Sequence, residues 1–171
     1  MPSKEKPLMK QNPSQGTVTY RRSAGSDAEA VYAVVLSSVS RLCPEPYSQE
    51  VVRTWMDGRI AEDYREDCRD GLLWLAERSG KVMGFSHGEP GEVKRLFVSS
   101  DAVGLGVGKV LMEKALADAQ GDNTQTVVID ATLNAASFYE KWGFRRTGSG
   151  VFPGREGLPP IEIVTMKRFA P

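Results

Sequence analysis

The residues best suited to chemistry form a glycine-rich segment at 103–108, with the sequence Val-Gly-Leu-Gly-Val-Gly. The segment follows a predicted strand and leads into a predicted helix. Glycine lets the backbone approach a ligand closely and adopt positive φ. Free amides at a helix N-terminus, together with the helix dipole, favour phosphate oxygens. The segment therefore predicts an anion site, and the alternative is a tight strand-to-helix corner without a ligand.

Two common phosphate-binding motifs do not fit this segment. A Walker A loop would need glycine at Val103 and Ser or Thr at Val110. A dinucleotide fingerprint that begins at Gly104 would need glycine at Lys109. A nucleoside triphosphatase is therefore a poor interpretation of the sequence.

A second segment, residues 130–144, has the sequence Asp-Ala-Thr-Leu-Asn-Ala-Ala-Ser-Phe-Tyr-Glu-Lys-Trp-Gly-Phe. Together, the two segments resemble the GNAT superfamily of acetyl-CoA-dependent N-acetyltransferases. The first resembles the pyrophosphate loop of the family, with Val103 in place of a polar residue. The second resembles the later strand–helix segment of the family, with Thr132 at an Asn/Ser position and Ala135 matching an Ala.

The resemblance covers residues 17–168 in the order of elements and residues 92–144 in sequence detail. The chain looks similar to a bacterial branch of poorly assigned family members. The fold that the resemblance implies is α+β, with a mostly antiparallel central sheet of about six to seven strands. Helices flank this sheet, and it is splayed beside residues 126–129 to leave a slot for the coenzyme.

The resemblance implies acetyl-CoA as a co-substrate and no metal. The family binds phosphate mostly through backbone amides, so the expected contacts are Val103, Gly104, Leu105, Gly106, Val107, Gly108 and Lys109. The preceding strand pairs with the pantetheine arm in the family, which assigns that role to Leu96, Phe97 and Val98. Thr132 and Tyr139 complete the expected coenzyme contacts.

Tyr139 is the candidate proton donor, because it matches the tyrosine near the thioester sulfur in the family. A phenol with a pKa of about 10 can protonate a thiolate with a pKa of about 8.5. The alternative is an amphipathic residue at the edge of the core. In the family the amine attacks directly without a covalent acyl-enzyme, which suits a sequence without a Ser/His/Asp or Cys/His signature.

Three residues are candidates for the general base, and the sequence does not decide between them. Glu92 lies at a spacing before the loop where some family members carry a catalytic Glu. His87 has an ordinary pKa of about 6.5, which suits the task, and Glu89 is a third candidate. Each of these residues could instead be structural or exposed, and an amine that loses its proton in solution needs no base.

The acceptor is expected near residues 43–50, between the first two helices. Glu45 and Glu50 could attract a cationic amine or could be ordinary surface carboxylates. The acceptor is either a small-molecule or a peptide amine. The alternative function is a non-catalytic acyl-CoA sensor or partner-binding module, which would not need Tyr139.

Hydrophobic periodicity predicts the elements that position these residues. The predicted strands lie at 17–21, 72–76, 81–87, 92–98, 125–129, 144–147 and 161–168. A capping box at Ser26 and Glu29 is expected to start the first helix, and Ser48 to cap the second. Residues 148–160 hold four Gly and three Pro and predict an irregular loop.

The length and composition fit one domain at 17–171, which the resemblance implies is an N-acetyltransferase domain, after a mobile tail at 1–16. The 22 basic and 22 acidic residues balance, which argues against a nucleic-acid partner. The sequence has no apolar run long enough to predict a membrane span, and its first residues do not resemble a secretory leader. A cytoplasmic protein is therefore expected. Cys43 and Cys68, with one His, predict free structural thiols and no zinc site. The resemblance also implies a homodimer, as is frequent in the family.

Overall fold

A computed structural model of the chain describes residues 16–42, 45–121, 125–152 and 159–169. The predicted tail lies outside these ranges except for Gly16, and so does Cys43. The strands are β1 (Thr19–Arg22), β2 (Leu73–Arg78), β3 (Lys81–Glu89), β4 (Glu92–Val98), β5 (Thr126–Thr132), β6 (Arg145–Phe152) and β7 (Ile161–Phe169). The helices are α1 (Ala28–Ser40), α2 (Gln49–Met56), α3 (Arg65–Arg69), α4 (Val107–Gln120) and α5 (Ala136–Glu140).

The seven strands form one sheet in the order β1-β2-β3-β4-β5-β7-β6. Every neighbouring pair is antiparallel except β4 and β5, which are parallel. Helices cover the sheet, so the predicted α+β class with a mostly antiparallel sheet of six to seven strands is confirmed.

The sheet is open between its two parallel strands. Glu92 and Val128 are the pair that joins β4 to β5, and the Val128 amide donates to the Gly91 carbonyl at 2.9 Å. Beyond this point β4 pairs with β3, and β5 pairs with β7. The gap therefore lies beside residues 129–132, three residues later than the predicted slot beside 126–129, because the pairing at Val128 still holds the strands together.

The two faces of β3 pack against different helices. Phe85 stacks on Phe97 at a centroid distance of 5.5 Å and belongs to the core under α1. Gly84 and Gly88 lie on the other face, where a Cβ on Gly88 would stand 2.0 Å from the Ala115 carbonyl oxygen of α4. Because side chains alternate along a strand, the small residues on this face let α4 approach the sheet closely and fix its position.

Two predicted details are wrong. Asp27 accepts from the Ala24 amide at 2.7 Å and pairs with Arg21 at 2.8 Å, so α1 starts at Ala28 and the capping box at Ser26 and Glu29 does not form. Residues 148–152 continue β6 instead of forming a loop. Pairing with β7 satisfies their backbone groups, and this tertiary contact outweighs the local preference of glycine for turns.

None of the helices in the described ranges has the length and apolar character needed to cross a membrane.

Candidate active site

The glycine-rich segment forms a tight turn between β4 and α4. Gly104 and Gly106 have φ of 84° and 77°, in the left-handed region that favours glycine, and a Cβ at either would meet open space. Gly108 lies in the first turn of α4, where a Cβ would sit 3.7 Å from the Val98 side chain. Glycine is therefore required at 104 and 106 by backbone conformation, whereas at 108 it keeps the helix start close to β4.

The start of α4 presents free backbone donors. The Leu105 amide bonds to the Ala102 carbonyl at 3.3 Å, and the first helical bond runs from Val110 to Gly106. The amides of Val103 and of residues 106–109 bond to no acceptor in the described part of the chain. Val103 is 53% exposed, and its amide is available although its side chain is apolar. This cluster of N–H groups at a helix N-terminus suits phosphate oxygens.

A cavity of about 680 Å³ opens from the gap between β4 and β5. Leu96 and Phe97 form one wall of the gap, and Ile129 and Thr132 form the other. The cavity continues away from the gap along α2 and the turn that follows it, where Trp55 and Tyr64 line it. The volume is in the range of small-molecule sites, which is about 300–1,000 Å³.

Tyr139 of α5 lies on the wall of this cavity, beside the gap. It is 5% exposed, and its ring packs edge-on against Phe138 and Phe144. Burial raises the pKa of the phenol above its usual range, because the phenolate would lose its hydration. Its hydroxyl bonds to no described residue, so it is a protonated donor held in a fixed orientation at the cavity.

Tyr47 joins three segments around the cavity. Its hydroxyl donates to the Glu162 carbonyl of β7 at 2.6 Å and accepts from the Leu133 amide after β5 at 2.9 Å. Its ring meets Trp55 of α2 edge-on, with the centroids 5.9 Å apart. The segment before α2 is thereby fixed to β7 and to the turn that follows Thr132.

The predicted bases Glu92 and His87 lie away from the cavity wall. Glu92 is half-buried at the closed end of the gap, opposite Val128. His87 is 2% exposed on β3, opposite Arg95, and its Nδ1 has no partner in the described residues. Burial and the Arg95 guanidinium lower the pKa of His87, so the imidazole is neutral over a wider pH range than usual.

Glu89 is the third predicted base, and it pairs with Lys94 at 3.0 Å. Of the predicted site residues, the cavity brings together Leu96, Phe97, Thr132 and Tyr139. Val98 and the glycine turn continue from the same end of β4 towards α4. The catalytic roles of Glu92, His87 and Glu89 stay predictions.

The described cysteine is not positioned as a nucleophile. Cys68 is fully buried, and burial raises the pKa of its thiol to about 11. A thiol of this pKa holds little thiolate at neutral pH. Within the described ranges no group of three or more His, Cys, Asp or Glu side chains could hold a metal ion.

Several residues of the far wall have no recognisable signal in the sequence. Arg59 and Tyr64 lie in the charged stretch 58–70, which indicates at most a short helix. Arg95 lies over the Tyr64 ring, with its guanidinium carbon 5.8 Å from the ring centroid, and pairs with Asp67 at 3.0 Å. These residues meet only in the folded chain, since α2 and α3 return to β4 from about 30 positions away.

Comparison with known proteins gives a match to one family. Residues 43–158 match the family model described as "Acetyltransferase (GNAT) domain". The chain is 31% identical to the peptidyl-lysine N-acetyltransferase YjaB of Escherichia coli (strain K12) over 77% of this chain and 84% of that protein. It is 28% identical to the mycothiol acetyltransferase of Arthrobacter sp. (strain FB24) over 76% of this chain, and it spans only 43% of that longer protein.

Solved structures share the fold. A GCN5-related N-acetyltransferase from Rhodopseudomonas palustris superposes with a TM-score of 0.78 at 24% identity, covering 91% of this chain and 97% of that one. The putative acetyltransferase yncA from Salmonella typhimurium, solved with its cofactor acetyl-CoA, superposes with a TM-score of 0.66 at 18% identity. That match covers 91% of this chain and 95% of yncA.

Proposed function

The chain belongs to the GNAT acetyltransferase family and is an acyltransferase, and we propose that it transfers acetyl from acetyl-CoA directly to an amine of a small molecule or peptide. One observation carries the proposal. The gap between β4 and β5 adjoins a helix start with free amides, so a phosphate-bearing thioester has both a slot and an anion site. The acetyl-CoA that the yncA structure contains supports this choice of co-substrate.

The free amides of Val103 and of residues 106–109 hold the pyrophosphate in this proposal. The open turn at Gly104 and Gly106 admits it, because no atom lies within 4 Å of a Cβ built at either glycine. Leu105 and Lys109 flank the same turn. Leu96, Phe97 and Val98 offer the pantetheine arm the edge of β4 that β5 leaves unpaired, and Thr132 faces them.

Direct transfer requires two proton movements. The bond between the amine nitrogen and the acetyl carbon forms, the carbon–sulfur bond breaks, the nitrogen loses a proton and the thiolate gains one. Tyr139 at the cavity wall donates its proton to the departing thiolate, and the proton that the nitrogen releases restores the phenol, so that the protons balance. Burial favours this neutral phenol over the phenolate. The described cavity wall contains no cysteine and no histidine, which supports direct transfer without a covalent acyl-enzyme.

Binding of CoA and acetyl-CoA, measured by calorimetry, tests the proposal. Gly106→Glu should abolish binding, because it adds a carboxylate in front of the free amides. Gly80→Glu is the matched control: Gly80 also has φ of 77° and open space around its Cβ, but it lies in the β2–β3 hairpin. Micromolar binding that Gly106→Glu alone removes is the expected result. Absence of binding to wild-type protein would refute the proposal.

The cytoplasmic location, the homodimer and the lack of a nucleic-acid partner stay predictions.

A further inference from the structure

The cavity has charges of both signs on its wall. They are Asp57, Arg59, Asp63, Lys94, Arg95 and Asp130. Most of them are engaged within the protein. Lys94 pairs with Glu89 and Arg95 with Asp67, each at 3.0 Å. Asp63 accepts from the Ile60 amide at 2.9 Å, and Asp57 also has a partner.

Arg59 keeps most of its hydrogen-bonding capacity for a ligand. Its Nε donates to the Trp55 carbonyl at 2.8 Å, which fixes the guanidinium at the C-terminal end of α2. Its terminal nitrogens have no ion-pair partner in the described part of the chain. A guanidinium offers a planar set of donors that matches a carboxylate in two parallel hydrogen bonds. An anchored arginine of this kind is suited to bind a ligand carboxylate.

Asp130 is the complementary charge on the other wall. It lies on β5 beside the gap, is exposed, and has no hydrogen bond or ion pair with a described residue. Its carboxylate attracts a cationic amine to the wall of the cavity that β5 forms. The cavity wall therefore carries a free negative charge on β5 and a free positive charge after α2.

From this arrangement we infer that the acceptor is a small amine that also carries a carboxylate, such as an α-amino acid, and that Arg59 determines this specificity. The inference rests on the proposed acetyltransferase function. The amine lies at the gap beside Asp130, and the carboxylate is bound by Arg59. A polyamine or a lysine side chain of a peptide would leave Arg59 without a counter-charge.

Acetylation of matched acceptors tests the inference. Thiol release from acetyl-CoA is measured for proteinogenic α-amino acids, for the amine that remains when each loses its carboxylate, and for a lysine peptide with blocked ends. Wild-type protein should have a kcat/KM at least roughly tenfold higher for the best amino acid than for its matched amine, as expected for a lost charge-assisted pair.

Two variants separate specificity from folding. Arg59→Met should lower kcat/KM for the amino acid about tenfold, mainly through KM, and leave the matched amine within about twofold. Arg53→Met, an exposed arginine on α2 outside the cavity wall, should change neither. Calorimetry of CoA on the same samples should give equal affinities for all three proteins.

Preference for the plain amine or for the blocked peptide would overturn the inference, and so would an equal loss for both acceptors in Arg59→Met. Coenzyme binding without turnover of any acceptor would also overturn it. Absence of CoA binding to wild-type protein would refute the proposed function itself, and the inference with it.

Discussion

At the scale of single residues, Tyr139 is the strongest candidate for chemistry. Its ring is held between Phe138 and Phe144, and its hydroxyl lies at the cavity without a described partner. The pKa of the phenol is raised by burial, so the group is a donor and not a base near neutral pH. A residue that only filled the core would not need this hydroxyl.

Tyr139→Phe should therefore reduce kcat by about a hundredfold or more, the typical contribution of a general acid. Acetyl-CoA affinity and the thermal midpoint should be unchanged, because the ring contacts remain and no described hydrogen bond is lost. Steady-state kinetics, calorimetry and a melting curve measure the three quantities. An unchanged kcat would remove Tyr139 from the mechanism.

His87 gives the protein a titration that can be isolated, because it is the only histidine in the chain. Burial first, and then the Arg95 charge, lower its pKa in the folded state, while Asp67 acts in the opposite direction. In the pH range between the folded pKa and about 6.5, the unfolded chain binds more protons than the folded chain. Stability is therefore complete above this range and falls as the pH drops through it.

The free energy of unfolding should decline below pH 6.5 with a slope of up to about 1.4 kcal/mol per pH unit from this residue. Urea unfolding between pH 5 and 8, measured on wild type and His87→Gln, isolates the contribution as the difference between the curves. If the two curves run parallel through this range, the pKa of His87 is not lowered by folding.

At the scale of elements, the contact between β3 and α4 sets the position of the anion site, since α4 carries that site at its start. Gly84 and Gly88 let the helix approach: a Cβ at Gly84 would lie 3.0 Å from the Leu111 side chain of α4, and one at Gly88 2.0 Å from the Ala115 carbonyl oxygen. The obstacle at Gly88 is a backbone atom, which cannot rotate away. The helix itself would have to move.

Gly88→Ala should thus destabilise the fold by about 1–3 kcal/mol or more, the usual range for overpacking, and should weaken CoA binding through the displaced helix. Gly150→Ala is the control, because Gly150 is also a strand glycine but its Cβ would make ordinary 3.6 Å contacts with Ile163. Chemical unfolding and calorimetry report both effects. Equal stability of the two variants would contradict the close packing of α4.

Local patterns in the sequence predict most of the helices and strands but not all of the residues at which they begin and end. Alternation predicts β3 and β4, and the glycines predict the turn before α4, because these signals are local. The second half of β6 is not predicted, since Gly148 and Gly150 favour a turn until β7 pairs with them. The start of α1 is also missed, because Asp27 is engaged by Arg21, and no local pattern indicates that ion pair.

The residues of the candidate site also divide into those that local sequence patterns predict and those that only tertiary contacts bring together. The residues around the gap come from two sequence segments with recognisable motifs, so Leu96, Thr132 and Tyr139 can be assigned from sequence. The far wall is built by side chains such as Arg59 and Arg95, whose roles arise only when α2 is brought against β4. Tyr47 belongs to this second group, since its hydrogen-bond partners Leu133 and Glu162 lie 86 and 115 positions further along the chain.

At the scale of the whole molecule, the sheet consists of two parts that meet at the pair Glu92 and Val128. A ligand in the gap would contact both parts and would bind the folded state alone. Ligand at a hundred times its Kd stabilises a protein by about 2.7 kcal/mol. For a chain of this length the midpoint should rise by several degrees. A thermal melt with acetyl-CoA should show this rise for wild type and Gly80→Glu, and none for Gly106→Glu.

The gap between β4 and β5 also separates an N-terminal part of the chain from a C-terminal part. β1–β4 and α1–α4 precede the connection to β5, and β5–β7 with α5 follow it, so no strand of one part is inserted into the other. Two polypeptides divided between α4 and β5 would each contain one side of the gap. Their reassembly would use the shared core of α4 and β5 and the Tyr47 hydrogen bonds, and the coenzyme that bridges the gap would strengthen it. A reporter fused to each fragment would then turn the protein into a sensor of coenzyme concentration.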